Sequence, residues 1–96
     1  MSSPADNLTN AAKLFKERAK IYKDNYKRAG DIFMLLCPEG INITTPEDYN
    51  RAAILMQIIN KLLRYSLNWE TGHIDSLKDI TVYTAMLEEL DKEYLK

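Results

Sequence analysis

The apolar and polar positions of this chain follow helical spacing, and the longest such pattern lies in the middle of the sequence. Residues 45 to 69 open with Thr45 as an N-cap, Pro46 at the first helical position and Asp48 in an imperfect capping box. The residues that follow are apolar in nearly every direction, which is typical of a helix buried on most sides. Four polar residues recur at i, i+3, i+4 and i+7 and form one narrow polar stripe: Gln57, Asn60, Lys61 and Arg64. Its two cations need acceptors, which are either carboxylates of the protein or a ligand.

Helical patterns also flank this central segment. One predicted helix runs from Asn7 to Tyr22, and the residues 23 to 25 bend it or start a new helix, whose apolar face ends before Pro38. Residues 41 to 44 are expected to form a loop, and a last helix is predicted from Ile74 or Asp75 to Tyr94. We therefore expect an all-α fold, a compact bundle of four to five helices in a single domain over residues 1–96. Residues 1–6 are predicted to be a disordered tail.

Length and charge narrow the range of partners. A chain of 96 residues buries only roughly 60–65% of its unfolded surface, so we expect a homodimer or tetramer to complete the core. A net charge of −1 provides no broad basic surface for DNA or RNA. The single Cys37 excludes an internal disulfide and fits a reducing cytoplasm. Without an apolar N-terminal segment or a stretch long enough to span a bilayer, the sequence predicts a cytoplasmic protein with no membrane partner.

The common catalytic motifs are absent, so the candidate chemistry lies in the polar stripe and in the start of the last helix. There is no Gly-rich phosphate loop, no Cys-x-x-Cys and no His-Glu-x-x-His. Asp75, Asp79 and Tyr83 lie at i, i+4 and i+8, and antiparallel packing of the last two helices would bring this face to Lys61 and Arg64. A buried ion pair that fixes helix register is one interpretation of such a contact. His73 is interpreted as a helix-start residue in preference to a metal ligand.

These residues carry a resemblance to a known family. The chain contains Glu17-Arg18-Ala19-x-x-Tyr22-x-Asp24-x-Tyr26, then Lys61-x-x-Arg64, then Gly72-His73-x-Asp75-Ser76-x-x-Asp79-x-x-x-Tyr83. Over residues 15 to 90 it resembles short phage-type members of the MazG-like all-α nucleotide pyrophosphohydrolase superfamily. The resemblance implies a helical bundle that assembles as a dimer or tetramer, with a nucleotide pocket between helices. It adds five residues to the stripe as candidate ligand-binding positions: Tyr22, Tyr26, His73, Asp75 and Tyr83.

The departure from the family pattern concerns the metal site. Active members hold magnesium with an ExxE pair on one helix and an ExxD pair on the next, whereas residues 51 to 68 contain no Asp or Glu here. The second pair reads Ser76-x-x-Asp79, so the candidate metal ligands are Asp75 and Asp79. The stripe instead supplies groups that donate directly to phosphate oxygens.

Three functions follow as hypotheses. The first is a nucleotide binder that needs no cofactor and does not cleave its ligand; in a phage setting it would be a sponge that sequesters cyclic nucleotide signals of host immunity in the infected cell. The second is a magnesium-dependent nucleotide pyrophosphohydrolase that uses Asp75 and Asp79, with Glu17 or Asp24. The third is a structural or interaction bundle whose polar stripe is an internal ion-pair seam. The missing carboxylates favour the first over the second.

Overall fold

The computed structural model describes residues 3–95, except for the side chains of Ile21 and Tyr22. Four α-helices and one short 3₁₀ helix, at Asn25–Lys27, account for most of these residues, and the described part of the chain contains no strand, which confirms the all-α prediction. None of these helices combines the length and the apolar character that crossing a membrane requires. The α-helices are α1 (Pro4–Tyr22), α2 (Ala29–Leu36), α3 (Pro46–Leu67) and α4 (Ile74–Tyr94).

The first helix begins earlier than predicted, because its N-terminus has a complete capping box. The Ser3 hydroxyl accepts a hydrogen bond from the Asp6 N–H at 3.1 Å, and the Asp6 carboxylate accepts one from the Ser3 N–H at 3.3 Å. Pro4 occupies the first turn, where its missing N–H costs nothing. Residues 4–6, predicted as part of a disordered tail, are therefore helical, while Met1 and Ser2 lie outside the described residues.

The central helix begins at the predicted residue and ends slightly before Trp69, at Leu67. The Thr45 hydroxyl accepts a hydrogen bond from the Asp48 N–H at 3.2 Å. The Asp48 carboxylate reaches one residue further back than in a capping box and accepts from the Thr44 N–H at 3.3 Å. After the helix, Gly72 has φ +73° and donates its N–H to the Asn68 carbonyl at 2.7 Å, which reverses the chain into α4.

Helices α3 and α4 pack antiparallel along most of their length. Arg51 pairs with Asp91 at 2.9 Å near one end, and Lys61 pairs with Asp79 at 3.3 Å towards the other, which is the order that antiparallel packing requires. On another side of α3, a small apolar core forms against α2. Its buried members are Ala29, Ile59 and Leu63, and the half-buried residues packed on them are Ile32, Phe33, Leu55 and Met56.

The single chain is open and leaves a large surface exposed. Its radius of gyration is 16.5 Å, against about 12.5 Å for a compact domain of this length. Its accessible surface is 7621 Å², against about 5,650 Å² for a compact monomer of this mass. Among the described side chains of α1, Ala19 is half-buried and all the others are exposed. From residue 51 to residue 67, most side chains of α3 are half-buried or buried, but Leu62 is half exposed, so the expected burial on most sides is only partly met within one chain.

Candidate functional site

A cavity of about 450 Å³ between α1 and α3, with the 3₁₀ helix at one end, brings several candidate residues together. Its apolar floor and wall come mainly from α1, and its polar groups come from all three elements. The described lining residues are Ala11, Leu14, Phe15, Arg18, Ala19, Lys23, Asn25, Tyr26, Gln57, Asn60, Lys61 and Arg64.

All four residues of the polar stripe line this cavity. Because they recur at i, i+3, i+4 and i+7, one face of α3 carries them together. Gln57 is exposed, whereas Asn60, Lys61 and Arg64 are half-buried. Amide, ammonium and guanidinium groups can all donate hydrogen bonds to an anion, and Arg64 offers a planar fork that matches two phosphate oxygens.

The opposite wall adds two cations that the sequence reasoning did not identify as site residues. Arg18 belongs to α1 and Lys23 is its C-terminal cap, and both line the cavity. Among the described residues, neither has a carboxylate within 4.0 Å, the distance that defines an ion pair. The described lining thus holds four cations and no Asp or Glu. Arg18 and Lys23 are exposed, and Lys61 and Arg64 are half-buried, so the cavity is open to solvent and carries a positive potential that attracts anions.

Aromatic and amide groups complete the cavity near the 3₁₀ helix. Tyr26 lies edge-on to Phe15, with ring centroids 6.5 Å apart, and gives the cavity an aromatic wall. Asn25 is buried, and its Oδ1 has no hydrogen-bond partner among the described residues. Tyr22, the other aromatic candidate from the sequence, ends α1, but its side chain lies outside the described part of the structure. Its role stays a prediction.

Lys61 also faces away from the cavity, towards α4. Its Nζ lies 3.3 Å from Asp79 Oδ2, and the lysine side chain is 13% exposed while the aspartate is 46% exposed. This contact confirms that the antiparallel helices bring the acidic face of α4 to Lys61. It also means that the charge of Lys61 is partly neutralised before any ligand binds.

The remaining α4 candidates do not line the cavity. His73 is the N-cap of α4: its Nδ1 accepts a hydrogen bond from the Ser76 N–H at 3.3 Å and lies 2.6 Å from the Ser76 hydroxyl, which is fully buried. This confirms the interpretation of His73 as a helix-start residue. Asp75 is exposed and Tyr83 is half-buried.

A metal site at Asp75 and Asp79 has little support in the geometry. Asp79 is already engaged by Lys61. Within residues 3–95 there is no group of three or more His, Cys, Asp or Glu side chains placed to hold a metal ion. Of the two further carboxylates considered for a hydrolase, Asp24 contacts Lys27 at 4.0 Å and Glu17 is exposed.

A sequence signal for Arg18 exists in the spacing of α1. Arg18 follows Ala11 by seven residues and Leu14 by four, so it lies on the same face of α1 as these two apolar lining residues. No comparable signal marks Lys23, because its place depends on how the chain turns after α1.

Comparison with protein-family models, with curated proteins and with solved structures yields no match to this chain. The resemblance to the MazG-like superfamily therefore stays a prediction.

Proposed function

We propose that this protein binds a phosphate-bearing nucleotide in the α1–α3 cavity, without a metal ion and without cleaving it. The observation that carries the proposal is the cavity wall, where four cations meet and the described lining contains no carboxylate. Metal-bridged phosphate binding requires acidic ligands at the phosphates, whereas direct binding requires donors such as these. The Phe15–Tyr26 wall offers a surface for a nucleobase or ribose.

The biological form of this function that the phage resemblance favours is a sponge for cyclic nucleotide signals. A sponge needs affinity and retention of an intact ligand, and it needs no catalytic group. We also propose that the protein works as a homodimer or tetramer, because the single chain exposes more surface than a compact monomer of its mass.

A second candidate function is a structural bundle, and the Lys61–Asp79 contact favours it. If the stripe exists mainly to pair with α4, then one of its cations is already satisfied inside the protein. The magnesium-dependent pyrophosphohydrolase is the third possibility to be tested, with Asp75 and Asp79 as its candidate ligands.

The three functions predict different results in a thermal-shift experiment. We would heat the protein with nucleoside triphosphates, cyclic dinucleotides and cyclic ADP-ribose-like molecules, with and without magnesium. A ligand at one hundred times its Kd stabilises the folded state by about 2.7 kcal/mol, which raises Tm by about 10 °C or more in a domain this small. We expect such a shift without magnesium, and we expect the ligand to be recovered intact after denaturation.

Substitutions of cavity residues test whether the ligand binds in the cavity. A charge-assisted contact contributes about 1.5–3 kcal/mol, so Arg64→Ala and Lys61→Ala should each weaken binding about tenfold or more while the helix content stays unchanged. Arg28→Ala is the matched control, because Arg28 is exposed and lies outside the described lining. Magnesium-dependent release of pyrophosphate would overturn the proposal, and the absence of a shift with every nucleotide would favour the structural bundle.

A further inference from the structure

Lys23, at the C-terminal end of α1, combines an unfavourable backbone conformation with a charge that has no carboxylate partner among the described residues. Its φ is 48° and its ψ is −130°, and it is the one non-glycine residue with positive φ among those the structure describes. A lysine there has the steric conflict between Cβ and backbone that glycine avoids. Its backbone N–H donates to the Ala19 carbonyl at 3.0 Å, a bond that glycine would make equally well. The main chain therefore gives no reason for a lysine at this position.

The lysine side chain has no evident structural role either. It lines the same cavity as Arg18, and the described residues place no carboxylate within 4.0 Å of either cation. Like charges that line one cavity repel each other, although Asp79 already neutralises part of the Lys61 charge on the α3 side. Lys27, the last residue of the 3₁₀ helix, differs from Lys23 in this respect. Its ammonium group pairs with Asp24 and lies 5.7 Å from the centroid of the Tyr26 ring.

An anion in the cavity would reverse this balance, because it would turn the repulsion between the cations into attraction for the ligand. We propose that Lys23, together with Arg18, binds a phosphate group of the ligand from the α1 side of the cavity. These two cations, which have no carboxylate partner among the described residues, match the double negative charge of one phosphate monoester or of two phosphodiesters. This inference rests on the proposed function and adds a second phosphate contact on the wall opposite Lys61 and Arg64.

The proposal predicts that one substitution changes stability and affinity in opposite directions. Lys23→Gly relieves the backbone conflict and removes the ammonium group. It should therefore raise Tm by roughly 4 °C in the absence of ligand and weaken binding of ATP about tenfold or more. Lys23→Ala removes the ammonium but keeps a Cβ, so the same loss of affinity should appear without the gain in Tm.

The control lies one turn away. Lys20 is an exposed cation in the last turn of α1 and is outside the described cavity lining, so Lys20→Ala should leave the affinity for ATP within about twofold of the parent. ATP and inorganic pyrophosphate, both without magnesium, are the probes, and titration calorimetry on the full chain gives Kd. Arg18→Ala should weaken the binding of both probes as Lys23→Ala does.

The outcomes separate this inference from the proposed function. If the parent binds ATP but Lys23→Gly and Lys23→Ala bind it equally well, Lys23 does not contact the ligand and the inference is wrong. If the parent binds neither ATP nor pyrophosphate and shows no thermal shift with any other nucleotide, the proposed function and the inference both fail. Equal losses in Lys20→Ala and Lys23→Ala would show a general charge effect and would also overturn the inference.

Discussion

Lys61 lines the cavity and also forms an ion pair with Asp79 of its own chain. Its side chain is mostly buried, whereas the Asp79 side chain is about half exposed. Removing a buried cation leaves an aspartate that water can solvate, but removing the aspartate leaves a lysine that water reaches poorly. Removal of the Asp79 carboxylate should therefore lower the free energy of unfolding more than removal of the Lys61 ammonium group does.

We predict that Asp79→Asn destabilises the fold by about 1 kcal/mol, while Lys61→Met is close to neutral, since the partial exposure of Asp79 screens the pair. The double variant should be about as stable as Lys61→Met alone, which a double-mutant cycle from urea unfolding would measure. Asp79→Asn should also tighten ATP binding, because it frees the lysine charge for the cavity. A coupling free energy near zero, with unchanged affinity, would mean that the contact is a solvated surface pair.

At the scale of the elements, the sequence predicted what local chemistry determines. The start of α3 was predictable because Thr45 and Pro46 act within one turn, and the antiparallel arrangement followed from the short connection to α4. The cavity was only half predictable. The stripe on α3 is visible as a helical period, but its opposite wall depends on where α1 lies against α3, which is a contact between residues far apart in the sequence. The early start of α1 was missed because its first turn lacks an apolar pattern, although Ser3 and Asp6 have the spacing of a capping box.

The start of α3 should give the protein a pH-dependent stability. The Thr44 N–H, which donates to the carboxylate, is the main cause that holds the pKa of Asp48 below its usual value of 3.8, and Thr45 and Arg51 act in the same direction. Because the folded pKa is depressed, the unfolded state takes up the proton first. The stabilising contribution is therefore complete well above pH 3.8 and is lost as the pH falls through the folded pKa.

We expect Asp48→Asn to lower Tm at pH 6, and we expect its difference from the parent to shrink steadily below pH 3.8. Thermal melts followed by circular dichroism between pH 6 and pH 2.5 measure this difference. Asp6→Asn provides a comparison at another helix start, where the carboxylate also accepts a backbone hydrogen bond. A difference for Asp48→Asn that stays constant through the acid range would show that the carboxylate charge does not contribute.

At the scale of the whole molecule, the large accessible surface of the single chain leads us to expect that it assembles with further copies. The chain exposes about 2,000 Å² more than a compact monomer of its mass. A standard interface removes about 800 Å² from each partner, and obligate dimers remove more. Helix α1 is the element least held by its own chain, since Ala19 is its one half-buried side chain among those described. Most of the stability of a helix in a protein comes from the packing of its apolar face, and α1 has little such packing within one chain.

We therefore predict that α1 packs against a second copy of the chain and that Leu8, which is 73% exposed and lies outside the described cavity lining, is buried there. Light scattering should give at least twice 11.1 kDa for the parent, and Tm should rise with protein concentration, because association stabilises the folded state. Leu8→Glu should reduce the mass to that of one chain. Leu35→Glu, on α2 and 78% exposed, is the matched control and should leave the assembly intact. Dissociation by Leu35→Glu but not by Leu8→Glu would move the interface from α1 to α2, and a monomeric parent at micromolar concentration would refute the assembly itself.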